Sequence, residues 1–124
     1  MFLNGRDVKF KFTVGASFEI ADLCPEGKIE NIEKLWQGTY RENAENEIQF
    51  MIALNKGYID AQKFIDPKFA DKPLTKEELL YLDNNEYQKL SQEALAAYLG
   101  DSKRKVDTAP VKSKKKAAAG AVKK

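Results

Sequence analysis

At 124 residues the chain has the size of one domain, long enough to build a core without metals or disulfides. Apolar residues at 43% supply that core, 32% charged residues supply a wetted surface, and a single cysteine rules out an internal disulfide framework. The net charge of +2 is unevenly placed: residues 1–100 carry 12 Lys+Arg against 17 Asp+Glu, a net of −5, and residues 101–124 carry 9 against 2, a net of +7. An acidic body and a basic tail attract different partners.

Phe2-Leu3, then Asn4-Gly5, then Val8, Phe10, Phe12 and Val14 alternating with Lys9, Lys11 and Thr13 predict an N-terminal β-hairpin over residues 1–14. Asn-Gly is the favoured pair for a type I′ turn, and the period of two sets the four apolar side chains on one buried face. Ser17 is the expected cap of a helix running to Leu23, which Pro25 and Gly27 terminate. Ile29, Ile32 and Leu35-Trp36 predict a second short helix closing at Gly38. Thr39-x-x-Glu42 has capping-box spacing, and Tyr40, Ala44, Ile48, Met51 and Ile52 form the stripe of a third helix, expected to reach Asn55 and stop at Gly57.

From Tyr58 to Leu74 the pattern weakens to a helical turn over Asp60–Ile65 and a loop bounded by Pro67 and Pro73. Two more cap spacings follow, Thr75-x-x-Glu78 and Asp83-x-x-Glu86, opening apolar runs that end at Gly100. The expected fold is therefore mainly α with a small hairpin: a folded domain over 1–100, with helices from about 16 to 99. Residues 101–124, rich in Lys and Ala and without apolar periodicity, read as a disordered tail.

The chemistry is marked by what is missing. The chain has no histidine, hence no Ser-His or Cys-His nucleophile pair and no usual zinc ligand. Phosphate-cradling glycine motifs and calcium-loop spacing are also absent from the sequence. No catalytic, cofactor-binding or metal-ligating residue is expected, and the protein reads as a non-enzyme. Cys24 reads as a small buried apolar residue, Trp36 as core, and Glu42, Glu45 and Glu47 as the solvated face of a helix. No stretch approaches the roughly 20 apolar residues of a membrane span, and the N-terminus lacks the apolar core of a signal peptide, so residence in the cytoplasm is expected.

The order FLNGRDVKFKFTVGASFEIADL, then a helical middle, then LTKEELLYLDNNEYQKLSQEAL and a Lys-rich end, resembles the tail assembly chaperones of long-tailed bacteriophages and prophages. The likeness covers about residues 1–100. It implies a protein that binds the apolar, helical tape measure protein, keeps it soluble and helps tail tube protein polymerise around it. It also implies work in the host cell cytoplasm, absence from the mature virion and a longer, frameshifted form of the chain. The Lys114-Lys115-Lys116 run is compatible with a slippery codon stretch for that form. On this reading the partner surface is expected on the last two helices, at Leu79, Tyr87, Leu90 and Tyr98. Two alternatives stand beside it: a small nucleic-acid-binding protein acting through its basic tail, against which the acidic body speaks, and a minor structural tail protein.

Overall fold

The computed structural model describes residues 2–3 and 6–107. Asn4-Gly5, on which the turn expectation falls, and residues 108–124 of the expected disordered tail lie outside the described residues. Strands β1 (Phe2–Leu3) and β2 (Arg6–Asp7) pair antiparallel, Phe2 opposite Asp7 and Leu3 opposite Arg6. Four α-helices follow: α1 (Val14–Leu23), α2 (Tyr40–Ile65), α3 (Lys76–Leu80) and α4 (Asn84–Asp107). Between α1 and α2 lie two 3₁₀ segments, Pro25–Gly27 and Ile29–Trp36. The molecule is mostly helical, as the sequence predicts.

The hairpin expected over residues 1–14 is cut short: the pairing ends at Asp7, and Val8–Thr13 is not a strand. These residues run across α2, whose groups meet their backbone: Lys11 N–H donates to the Leu54 carbonyl at 3.0 Å, and Asn55 Nδ2 donates to the Lys9 carbonyl at 2.9 Å. The alternation still sorts side chains, since Val8 and Phe12 are buried and Phe10 is half-buried, but it breaks at Val14, which is 62% exposed. Thr13 is the reason. Its hydroxyl accepts from Ala16 N–H at 3.1 Å, so the helix cap is Thr13 rather than Ser17, and Val14 opens α1 instead of closing a strand. Ser17 lies inside that helix, its hydroxyl donating to the Val14 carbonyl at 2.6 Å.

Helix α2 is the spine, with α1, the Ile29–Trp36 segment, α3 and α4 all packed against it. A helix covered on several sides must bury more than one stripe. Accordingly Ile48, Phe50, Met51, Ala53, Leu54, Asn55, Gly57 and Ile59 are all buried. The helix does not stop at Gly57 but runs to Ile65, absorbing the turn expected at Asp60–Ile65. Gly57 serves a contact instead of a stop: a β-carbon there would lie 2.6 Å from the Lys11 carbonyl oxygen. Similarly, α4 runs past Gly100 to Asp107, because a glycine inside a helix costs only about 1 kcal/mol relative to alanine.

The local cap signals hold. Thr39 and Glu42 form a reciprocal capping box on α2, Thr75 and Glu78 another on α3, and Asp83 Oδ1 accepts from Glu86 N–H at 2.9 Å at the start of α4. An aromatic chain ties the layers together: Phe12 meets Tyr98 at 4.7 Å between centroids, Tyr98 meets Phe50 at 5.5 Å, and Phe50 meets Trp36 edge-on at 5.4 Å. Cys24 is buried, its thiol donating to the Ile20 carbonyl at 3.2 Å, and burial pushes its pKa up, away from reactivity.

Candidate partner-binding groove

The first two turns of α2, the end of the Ile29–Trp36 segment and the α3–α4 corner enclose an open groove of about 550 Å³. Three sequence features build it. The capping box at Thr39 starts α2 with Tyr40 at its first position, before the helix has sunk into the core, and leaves that ring 87% exposed. Helix α3 has only five residues, so of the run Leu79-Leu80-Tyr81-Leu82 only Leu79 is fully buried, while Leu80 is 54% exposed. Trp36 ends its segment with one edge on Phe50 and the rest of the ring in the groove wall.

A carboxylate sits among these apolar groups. Glu47 Oε1 accepts from the Tyr87 hydroxyl at 2.7 Å, and Glu47 Oε2 accepts from Trp36 Nε1–H at 3.2 Å. Half-burial and the Glu47 hydrogen bond together hold the Tyr87 phenol well above its ordinary pKa, burial being the larger cause. Glu47 is therefore not the freely solvated helix-face residue that the Glu42, Glu45, Glu47 spacing predicts. The other two are nearer to it: Glu42 serves the capping box, and Glu45 pairs with Arg41 at 3.1 Å.

The four residues expected at a partner surface divide. Leu79 and Leu90 are buried members of the core, at 2% and 0% exposure. Tyr98 is half-buried between Phe12 and Phe50 and belongs to the aromatic chain. Tyr87 lines the groove as a half-buried ring, and Leu79 lines it as a buried floor residue. The sequence reading missed Tyr40, Leu80 and Glu47. The usable signal for Leu80 was four consecutive apolar residues, Leu79 to Leu82, at the end of a short helix, more than one face can bury; for Glu47 there was none, since its donors are 11 and 40 residues away.

Outside the groove, Phe64 and Ile65 are strongly exposed at the end of α2, and Val14 and Phe18 on α1. Among the described residues no group of three or more Cys, Asp or Glu side chains is placed to hold a metal ion. No helix among them is long and apolar enough to cross a membrane. The chain matches no protein-family model, no curated protein and no solved structure.

Proposed function

We propose that the chain is a tail assembly chaperone of a long-tailed bacteriophage or prophage, which holds apolar helical segments of the tape measure protein in the groove until tail tube protein polymerises around them. The observation that carries the reading is the open groove between α2 and the α3–α4 corner, whose wall carries Trp36, Tyr40, Leu80 and Leu82. Its wall along α2, from Tyr40 to Ile48, is about 12 Å long at 1.5 Å per residue, which suits about two turns of an incoming helix presenting residues at i, i+3, i+4 and i+7. The resemblance of residues 1–100 to that family supplies the partner's identity. The net −5 of the body resists self-association while the groove is empty. On this reading the protein acts in the host cytoplasm and leaves before the virion is complete.

Co-expression of the full chain with a tape measure protein of a long-tailed phage tests the proposal. The soluble fraction of the tape measure protein should rise several-fold, and an unchanged fraction rejects the reading. The net +7 of residues 101–124 favours a second reading, nucleic-acid binding through the tail. That binding would weaken steeply as salt rises, whereas apolar docking would not.

A further inference from the structure

The charge pattern of the groove says more about the docking helix than that it is apolar. Rings and hydrocarbon from Trp36, Tyr40, Ala44, Leu80, Leu82 and Tyr87, among others, share the wall with a few neutral polar side chains such as Asn43 and Gln88. Among the described residues Glu47 is the one charged side chain in the lining, and no Lys or Arg shares it. Among the described residues no cation lies within ion-pair distance of Glu47, although Glu45, two residues earlier, has Arg41 at 3.1 Å and Lys76 at 4.0 Å. A carboxylate beside two aromatic rings is disfavoured unless donors compensate it. Tyr87 and Trp36 provide one donor each, and a carboxylate has about four acceptor positions, so about two remain.

Covering the groove with an apolar helix would strip the remaining water from Glu47 and leave those positions empty. A neutral partner would then bind against a desolvated, under-compensated charge, and an acidic one against direct repulsion. A lysine or arginine within the apolar face would fill the vacancy with a charge-assisted hydrogen bond. We propose that the groove selects amphipathic helices carrying a single Lys or Arg within their apolar face, seated against Glu47, and discriminates against the same helices with a neutral or acidic residue at that position. This rests on the reading of the groove as a helix-docking site.

Trp36 is the only tryptophan and lines the groove, so its fluorescence reports occupancy directly. The full chain is titrated with three tryptophan-free helical peptides of about 18 residues. They are identical in leucine spacing and differ only in a central Lys, Gln or Glu on the apolar face. The Lys peptide should bind about 10-fold tighter than the Gln peptide, a difference of about 1.4 kcal/mol, with the Glu peptide weaker still. Glu47→Gln should bring the Lys and Gln peptides within about twofold of each other while retaining Gln-peptide binding. Lys and Gln peptides binding the native chain equally would overturn the selection and leave apolar docking standing. Shifts from none of the three would remove the docking site itself, and the selection with it. Discrimination unchanged in a folded Glu47→Gln variant also overturns the proposal; if that variant does not fold, the ratio on the native chain decides.

Discussion

The carbonyl oxygen of Lys11 lies so close to the Gly57 α-carbon that a β-carbon there would sit 2.6 Å from it, with the Thr13 hydroxyl at 2.9 Å and the Ala16 methyl at 3.0 Å. The oxygen is backbone and cannot swing aside, and the Lys11 N–H is itself tied to the Leu54 carbonyl. Gly57→Ala sets two effects against each other. Alanine favours the helix by about 1 kcal/mol, but forcing the Val8–Thr13 segment off α2 costs about 1–3 kcal/mol as overpacking does. The close contact wins because three neighbours are affected at once. Thermal melts should show a lower Tm for Gly57→Ala; a raised Tm would mean the segment is free to move.

Asn55 joins two distant segments to the spine. It is 3% exposed, donates to the Lys9 carbonyl at 2.9 Å and accepts from the Leu74 N–H at 2.8 Å. Asn55→Leu keeps the volume but strands a buried donor and an acceptor, at a cost of about 1–3 kcal/mol each. Chemical denaturation should show a loss of about 2–5 kcal/mol, while a variant within about 0.5 kcal/mol of the native chain would mean water replaces the side chain.

Phe12 is 9% exposed and packs at 4.7 Å against Tyr98 of α4, the first link of the aromatic chain. Phe12→Ala removes the ring and leaves a cavity between the Val8–Thr13 segment and α4, costing about 3–5 kcal/mol. An unchanged melt would contradict this packing.

What could be read from the sequence is what depends on neighbours within a turn. The boxes at Thr39–Glu42 and Thr75–Glu78 were legible because donor and acceptor are three residues apart, and the helices they open follow. The alternation of Val8 to Val14 was misleading because burial of every second side chain does not require a strand partner, and here a helix provides the backbone contacts. Gly57 reads as a stop in isolation, and only its distance from Lys11, 46 positions earlier, reveals its use. The groove depends on where α3 and α4 turn, so Leu79 and Leu80 cannot be told apart by type, although one is buried and the other is 54% exposed.

The Tyr87–Glu47 bond has a pH signature. The folded state keeps the Tyr87 proton to higher pH than an unfolded tyrosine, whose pKa is about 10. Above that value unfolding releases a proton, so the stability tied to this group is complete below about pH 10 and declines as pH rises beyond it. The Tm advantage of the native chain over Tyr87→Phe should be constant from pH 7 to 9 and shrink by pH 11. An advantage that grows with pH would place the phenol away from Glu47.

The most direct test of the proposed helix-docking groove is the salt response and groove dependence of co-purification with a tape measure protein. Leu80 is a suitable probe, because at 54% exposure it lines the groove without belonging to the core, so Leu80→Asp should leave the helical circular dichroism spectrum intact. Co-purification of co-expressed proteins at about 1 M salt, where the Debye length is about 3 Å, removes long-range charge attraction. The native chain should retain the tape measure protein under these conditions, and folded Leu80→Asp should retain several-fold less. Equal retention by Leu80→Asp, or a complex that dissolves in salt and requires residues 101–124, would contradict the account.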